Sequence, residues 1–268
     1  MNEASIGVFD SGMGGLTVMR ALTARLPRES FLYLGDTARL PYGTKSADTV
    51  KRYALQASRA LMDRGVKMVV VACNTASVAL PALQEALAPL PVIGVIEPGA
   101  AAALAAAPEG PIAVIATEGT VKGGAYVRAL QARGQTPVVQ QACPLFVPMT
   151  EEGLIEGPIV EAIVHRYLDP LLATVPKPRC LLLGCTHYPA LKPVIARIAG
   201  DVKLVDSADT TAMAVEKLLA ERMLAASGDG PVSRKFLATD APDRFARVGE
   251  IFLGSAIDPG DVELIDLQ

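Results

Sequence analysis

Two stretches of the sequence decide the fold: VVVACNTASVALPAL, residues 69–83, and LLLGCTHYPAL, residues 181–191. Each begins with a run of apolar residues that is typical of a buried β-strand, and each then passes through polar residues before the next amphipathic stretch. When the two stretches are aligned, Cys73 falls opposite Cys185. The sequence therefore predicts two copies of one strand-and-turn unit, each with a cysteine after its strand.

A second pair of stretches repeats in the same order along the chain. IGVFDSGMGGLTVMRAL, residues 6–22, matches IAVIATEGTVKGGAYVRAL, residues 112–130, with two extra residues in the turn of the later copy. A repeat in this order indicates two similar α/β halves, each with an acidic or hydroxyl residue after its first strand and a cysteine after its third. The alternative is a chance similarity between strands that are all rich in Ala, Val and Leu.

Short apolar runs alternate with Ala-rich amphipathic stretches through most of the chain, which is the pattern of βαβ units around a parallel sheet. The predicted strands cover residues 5–9, 31–35, 67–72, 91–95, 111–116, 137–141, 179–184 and 202–206. From about residue 207 the repeat stops, and we expect a helix over 211–225, a strand over 235–238 and a helix over 243–253. The predicted fold class is α/β, with two similar parallel-sheet domains related by pseudo-symmetry.

Composition and charge exclude several classes of function. The chain has 268 residues, of which 51% are hydrophobic and 20% are charged, and its net charge is −3. This balance predicts a folded protein that does not bind nucleic acid, because phosphate backbones require clustered Lys and Arg. The longest apolar segment is interrupted by Glu97 and Pro98, so no membrane attachment is expected and we place the protein in the cytoplasm.

The number and spacing of the cysteines predict neither disulfides nor a zinc site. The four cysteines are too few and too irregularly spaced for a disulfide framework, and no Cys-x-x-Cys pair indicates zinc. The glycine-rich turn at 12–15 matches neither the dinucleotide-binding nor the P-loop spacing, so no nucleotide cofactor is predicted. The expected thiols are therefore free for other chemistry.

Both aligned cysteines follow predicted strands, where open α/β sheets bind their ligands. The N-terminal end of a helix that follows the cysteine would favour a negative charge on the sulfur. The sequence therefore predicts that each thiol ionises more easily than a free one. The backbone N–H groups there, with the side chains of Asn74, Thr75 and Thr186, are able to hold a substrate carboxylate. The alternative for either cysteine is a small buried hydrophobic side chain.

Two thiols that face each other across a cleft have three possible uses. They can form a disulfide pair, or one can act as a nucleophile with a histidine base, which leaves the other unexplained. They can also act as two bases, in which one thiolate removes a proton from a carbon atom and the opposite thiol returns a proton to the other face. The last use inverts a stereocentre and employs both cysteines.

Each thiol requires a partner that sets its proton affinity. Asp10, after the first strand, is expected to lie beside Cys73, because neighbouring parallel strands end at the same edge of a sheet. His187 follows Cys185 closely and is expected to serve that thiol. The alternatives are a turn or helix N-cap carboxylate for Asp10 and a structural imidazole for His187.

Six blocks of the sequence together resemble one known family. These blocks are FDSGMGGLTV (9–18), GDTARLPYG (35–43), VVACNTASVALP (70–81), GVIEPG (94–99), CPLFVPMTEEG (143–153) and LLLGCTHYP (181–189). In this order they resemble the glutamate racemases of bacterial cell-wall synthesis, over essentially the whole chain. The resemblance implies an isomerase that interconverts L- and D-glutamate and supplies D-glutamate for peptidoglycan. It also implies that the enzyme needs no cofactor and, in particular, no pyridoxal phosphate.

The resemblance also implies roles for individual residues. Cys73 is implied to act on D-glutamate and Cys185 on L-glutamate, with the assisting Asp and His of the family at Asp10 and His187. A family carboxylate maps to Glu151, with the adjacent Glu152 as the alternative. The implied substrate contacts are Asp10, Ser11, Tyr42, Gly43, Asn74, Thr75, Thr117, Thr120, Thr186 and His187, although Tyr42 is also compatible with a turn tyrosine and the two threonines at 117 and 120 with helix caps.

The family's topology implies that the chain passes between two domains twice. The first domain combines residues 1–97 with 208–268, and the second covers residues 98–207. The active site is then expected in the cleft between the domains, and a homodimer is expected from the same resemblance.

Three other functions remain open at this point. An aspartate racemase shares the paired-cysteine logic but accepts a shorter side chain. A decarboxylase or isomerase of related fold uses one cysteine. A two-domain protein that binds an amino acid without catalysis needs hydrogen-bond donors but no ionisable thiols.

Overall fold

The computed structural model describes residues 3–134, 136–228 and 230–267. Its strands are Ile6–Asp10 (β1), Phe31–Gly35 (β2), Met68–Val71 (β3), Val92–Gly94 (β4), Ile112–Ala116 (β5), Val138–Ala142 (β6), Cys180–Gly184 (β7), Lys203–Asp206 (β8), Arg234–Ala238 (β9) and Val262–Leu264 (β10). Its α-helices are Leu16–Arg25 (α1), Ala47–Asp63 (α2), Leu80–Ala86 (α3), Ile96–Ala106 (α4), Glu118–Gly123 (α5), Ala125–Gln131 (α6), Phe146–Glu151 (α7), Pro158–Leu172 (α8), Lys192–Ala199 (α9), Ser207–Glu221 (α10) and Pro242–Leu253 (α11). Short 3₁₀ helices lie at Thr37–Arg39, Tyr42–Thr44, Ala76–Ala79, Tyr188–Leu191 and Pro259–Asp261.

The strands form two parallel sheets. The first has the order β10-β9-β2-β1-β3-β4 and the second has the order β6-β5-β7-β8. Within the first sheet, β2-β1-β3-β4 has the same arrangement as the whole of the second sheet, with β1 in the place of β5 and β3 in the place of β7. The predicted α/β fold class and its internal repeat are therefore confirmed.

The eight strands predicted for the repeat are all present within a residue or two of their predicted limits, as is the strand predicted near 235–238. The central strands are buried on both faces, which explains why they read as unbroken apolar runs. The short edge strand β10 was not predicted, because only one of its three residues is buried and it has no alternating pattern. The helix α10 starts at Ser207, earlier than predicted, because the side chain of Asp206 caps its first turn.

The chain passes from one sheet to the other at two places. Helix α4 follows β4, an edge strand of the first sheet, and packs against the second sheet through residues such as Ile96 and Ala100. Helix α10 follows β8 and returns to the core of the first sheet through Ala212 and Val215. The domain limits 1–97 with 208–268, and 98–207, stay a prediction; residues 1, 2, 135, 229 and 268 of those ranges lie outside the described residues.

Contacts between the loops of the two sheets bring their strand ends together. The Thr17 hydroxyl donates to the carbonyl of Thr186 at 2.9 Å, which ties α1 to the turn after β7. The backbone of Gly43 approaches α5 so closely that a Cβ on Gly119 would lie 2.8 Å from the Gly43 carbonyl oxygen. No helix within the described ranges is long and apolar enough to cross a membrane.

Candidate active site

A small cavity lies between the loops that follow strands of both sheets. It measures about 40 Å³, and its walls are Ser11, Gly12, Leu40, Pro41, Tyr42, Gly43, Cys73, Asn74, Thr75, Thr117, Val147, Glu151, Cys185, Thr186 and His187. Both aligned cysteines face it, as do most of the residues predicted to bind substrate. The remaining two predicted residues, Asp10 and Thr120, are fully buried behind this lining.

The two cysteines occupy equivalent places in the repeat. Cys73 follows β3 and precedes the 3₁₀ turn Ala76–Ala79, after which α3 begins. Cys185 follows β7 and precedes the 3₁₀ turn Tyr188–Leu191, after which α9 begins. A 3₁₀ turn, rather than the start of an α-helix, therefore lies next to each sulfur atom. The helix N-terminus that the sequence analysis expected beside each thiol begins only after the 3₁₀ turn, farther from the sulfur atom.

Cys73 is buried, with 5% of its surface exposed. Its thiol lies 3.4 Å from the Ser11 hydroxyl oxygen, and the backbone N–H of Ala76 donates to the sulfur at 3.4 Å. Burial, together with the negative charge of Asp10, raises the pKa of Cys73 to about 12. The prediction of easier ionisation is therefore wrong for Cys73, and this thiol holds its proton at neutral pH.

Asp10 is fully buried next to Cys73 at the end of β1. Its Oδ2 accepts the backbone N–H of Gly12 at 2.9 Å, while its Oδ1 has no hydrogen-bond partner within residues 3–134, 136–228 and 230–267. Burial raises the pKa of Asp10, against the opposing effect of the positive charge on His187. Asp10 does not cap helix α1, whose N-cap is Gly15. A buried carboxyl group with a raised pKa and a free oxygen is suited to proton exchange.

His187 joins Cys185 to a carboxylate. Its Nδ1 lies 3.9 Å from Cys185 Sγ and 3.4 Å from Thr186 Oγ1, and its Nε2 lies 3.0 Å from Glu151 Oε1. Burial opposes its charged form, but the hydrogen bonds with Cys185 and Glu151 outweigh burial and raise the pKa of His187 to about 10. The imidazole therefore carries its proton at neutral pH and stabilises negative charge on the nearby sulfur.

Glu151 is the carboxylate of the adjacent pair that reaches the site, since Glu152 is exposed to solvent. Burial opposes the ionised form of Glu151, but His187 and Arg244 together hold its pKa below the usual value. Arg244 Nη2 donates to Glu151 Oε2 at 3.0 Å. The sequence analysis did not identify Arg244, which lies far along the chain and in none of the six motif blocks.

The hydroxyl and amide side chains around Asn74 and Thr75 form two hydrogen-bonded groups. Tyr126 donates to Asn74 Oδ1 at 2.6 Å, and Asn74 Nδ2 has no hydrogen-bond partner in the described part of the chain. Thr75 Oγ1 lies 3.0 Å from Thr117 Oγ1 and 3.2 Å from Thr120 Oγ1. Thr117 also caps helix α5. Thr117 is therefore both the cap of this helix and part of the cavity wall. The unpartnered amide of Asn74 can donate a hydrogen bond to a ligand.

Tyr42 is held in the cavity wall by a second carboxylate. Its hydroxyl donates a short hydrogen bond to Asp36, which also accepts from Arg39 Nε at 2.7 Å and from Thr239 Oγ1 at 2.9 Å. Burial and the negative charge of Asp36 raise the pKa of Tyr42. Asp36 lies within the motif block 35–43, yet the sequence analysis did not assign it a role.

The cavity as it stands is narrow. Its volume has room for only a few water molecules, so an amino acid is accommodated only when the walls move apart. A second cavity of about 310 Å³ adjoins it and shares the walls formed by Leu40, Pro41, Gly43, Thr117, Val147 and Glu151. The described residues contain no group of three or more His, Cys, Asp or Glu side chains arranged to hold a metal ion.

Comparisons with known proteins agree on one family. The family model described as Asp/Glu/Hydantoin racemase matches residues 6–215. A glutamate racemase of Geobacter metallireducens is 46% identical over 267 residues, which covers 98% of this chain and 97% of the relative.

Solved structures give the same result. The glutamate racemase of Francisella tularensis in complex with D-glutamate superposes with a TM-score of 0.92 at 38% identity, covering 99% of this chain and 98% of the other. The glutamate racemase of Thermus thermophilus in complex with β-chloro-D-alanine gives a TM-score of 0.89 at 42% identity, with coverage of 99% and 98%.

Proposed function

The chain belongs to the Asp/Glu/Hydantoin racemase family, and from that premise we propose that it interconverts L- and D-glutamate by proton transfer between two cysteines. It is an amino-acid racemase, and therefore an isomerase. The proposal concerns its substrate and its mechanism. The observation that carries the mechanism is the presence of two buried thiols in one cavity, at equivalent places of the two sheets, each beside its own titratable partner.

In the L-to-D direction, the thiolate of Cys185 removes the α-proton of L-glutamate. An S–H bond forms as the Cα–H bond breaks, and the electron pair stays on the α-carbon. The thiol of Cys73 then gives its proton to the opposite face and becomes a thiolate. This order suits the groups beside the two sulfur atoms, because a protonated His187 lies beside Cys185 while burial and Asp10 keep Cys73 protonated.

The reverse reaction uses the same groups with their protons exchanged. Cys73 removes the α-proton of D-glutamate and Cys185 returns one to the other face. We assign to Asp10 the uptake of the proton that Cys73 releases before this step, a role supported by its raised pKa and its free oxygen. His187 is placed to supply or withdraw the proton of Cys185.

The substrate is bound by donors of the cavity wall. Asn74 Nδ2 and the hydroxyls of Thr75, Thr117 and Thr186 are assigned to the carboxylates, with Ser11, Tyr42 and the backbone of Gly43 as further walls. The carbanionic intermediate lacks the electron sink that pyridoxal phosphate supplies, so exclusion of water and fixed dipoles must stabilise it. A cavity with room for only a few water molecules is suited to this task. The proposed reaction needs no cofactor and no metal.

The preference for glutamate over aspartate is supported by the relatives, since the Francisella tularensis enzyme is in complex with D-glutamate. We expect turnover of both glutamate enantiomers, followed by circular dichroism of the purified protein without added cofactor, and slower turnover of aspartate. Faster turnover of aspartate would identify an aspartate racemase. Binding of glutamate without any change in its optical activity would identify a binding protein.

The cellular role follows the substrate. We propose that the protein works in the cytoplasm as a homodimer and supplies D-glutamate for peptidoglycan. Expression in a bacterium that depends on added D-glutamate should remove that dependence, and sedimentation should give the mass of a dimer. A strain that still needs D-glutamate, or a monomer mass at working concentration, would contradict these parts of the proposal.

A further inference from the structure

Helix α11 belongs to the core of the first sheet but contacts a residue of the second. Phe245 and Phe252 are buried in the first core, whereas Glu151 ends helix α7, whose Met149 packs in the core of the second sheet. Arg244 of α11 pairs with Glu151 across this boundary at 3.0 Å. An ion pair therefore joins the packing units of the two sheets at the edge of the cavity.

The pair continues as a chain of contacts to one of the two thiols. Arg244 occupies Oε2 of Glu151, and His187 Nε2 lies 3.0 Å from the other oxygen, Oε1. His187 Nδ1 then lies 3.9 Å from Cys185 Sγ. A carboxylate held at both oxygens has its plane fixed, and a fixed carboxylate fixes the imidazole that it contacts.

Helix α11 contacts the same imidazole a second time. The ring of Phe252 packs edge-to-face on His187, with ring centroids 4.9 Å apart. Arg244 itself is not among the residues that form the cavity wall in the described part of the chain, and 38% of its side chain is exposed, against 10% for Glu151. Arg244 thus acts on the site through Glu151 rather than on a ligand.

We propose that Arg244 is a positioning residue for the half-reaction of Cys185: by pairing with Glu151 across the two packing units, it aims His187 at that sulfur. This inference rests on the proposed two-cysteine racemisation. The described side-chain partner of the Cys73 thiol itself, Ser11, follows β1, as does Asp10, and β1 lies in the same sheet as the strand that precedes Cys73. The contacts that cross to the second sheet on this side involve Asn74 and Thr75 and not the sulfur atom. Loss of Arg244 should therefore affect the two halves of the reaction unequally.

The test compares Arg244→Gln with Arg247→Gln, a matched loss of charge at an exposed position of the same helix. We expect kcat/KM to fall roughly 10- to 100-fold in Arg244→Gln, the loss that one charge-assisted hydrogen bond represents, mainly through kcat. Arg244→Lys, which keeps the charge, should recover part of the loss. Arg247→Gln should stay within about twofold of the wild type, and thermal unfolding should verify that all three variants are folded.

Isotope effects separate a positioning role from a general structural one. The equilibrium constant of a racemisation is one, so kcat/KM must fall equally in both directions. The primary isotope effect, in contrast, can change differently in the two directions. With α-deuterated L-glutamate it should rise in Arg244→Gln, because transfer to Cys185 becomes more rate-limiting, and with α-deuterated D-glutamate it should fall. Equal changes in both directions would overturn the proposal.

A second readout does not depend on turnover. The chain has two histidines. The second, His165, is exposed on helix α8, is paired with Asp169 and is not part of the cavity wall. In ¹⁵N spectra of the imidazole rings, Arg244→Gln should shift the His187 signals and leave those of His165 in place. If the wild type racemises glutamate but the His187 signals of Arg244→Gln match those of Arg247→Gln, the Arg244 proposal fails. If the signals shift but the wild type does not racemise glutamate, the proposed function fails.

Discussion

Replacement of Tyr126 by Phe tests how the amide of Asn74 is held. The Tyr126 hydroxyl donates to Asn74 Oδ1 at 2.6 Å, and the two residues are 0% and 3% exposed. Without the hydroxyl, a buried carbonyl oxygen loses its donor, which costs about 1–3 kcal/mol. At about 2–4 °C per kcal/mol for a protein of this size, the melting temperature should fall by roughly 2–12 °C.

The same change should weaken substrate binding. Asn74 is part of the cavity wall, and its Nδ2 donor has no partner in the described part of the chain. Loss of the Tyr126 hydroxyl frees the other end of the amide, so this donor is no longer held in one orientation. We expect the KM for glutamate in Tyr126→Phe to rise by up to about tenfold, which corresponds to about 1.4 kcal/mol. The assays are thermal unfolding by circular dichroism and steady-state racemisation.

The control for this prediction is Tyr188→Phe. The Tyr188 hydroxyl is also buried, and it donates to the carbonyl of Cys143 at 3.1 Å, away from the amide of Asn74. This variant should lose stability without the same rise in KM. The reasoning is refuted if Tyr126→Phe keeps both the stability and the KM of the wild type, or if both variants raise KM by the same factor.

Three further results are expected. Gly14→Ala should lose most of its racemase activity, because the added methyl group would overlap the His187 ring. In the same assay Gly123→Ala should remain active, because its added methyl group meets only ordinary contacts. Equal activities of the two variants would contradict this geometry. Because the pKa of His187 is raised from 6.5 to about 10, its charge stabilises the fold fully below pH 6.5 and that contribution is lost as the pH rises through about 10. Urea unfolding of the wild type and His187→Asn should therefore show a larger difference at about pH 6 than above about pH 10, and a constant difference would be inconsistent with the raised pKa. Lys67→Met should lower the free energy of unfolding by about 3–5 kcal/mol, because it leaves the buried carboxylate of Glu29 uncompensated; a loss below about 1 kcal/mol in urea would show that the pair is not tightly coupled.

The parts of the fold that depend on local patterns could be predicted from the sequence. Strands β3 and β7 are buried on both faces, so each appears as a continuous apolar run that ends just before its cysteine. The repeat then predicted that Cys73 and Cys185 occupy equivalent positions, and the arrangement of the two sheets agrees. Strand β10 is short and only partly buried, so the sequence shows no continuous apolar run there.

The parts that depend on distant contacts could not be predicted. Arg244 lies in none of the six motif blocks and reaches Glu151 from a helix far along the chain. Tyr126 lies in the repeated stretch 112–130, but nothing in that repeat indicates that its hydroxyl contacts Asn74. The ionisation of Cys73 was predicted wrongly for a different reason. The prediction counted a favourable helix end, but a 3₁₀ turn follows the cysteine and burial dominates its pKa.

The central claim is that two cysteines exchange protons with opposite faces of the α-carbon of glutamate. The most direct test is NMR in D₂O, following loss of the α-proton of L-glutamate and growth of D-glutamate, with the wild type, Cys73→Ala and Cys185→Ala and no added cofactor. The account predicts exchange with racemisation in the wild type and no racemisation in either variant. Racemisation at the wild-type rate in Cys73→Ala or Cys185→Ala would contradict it.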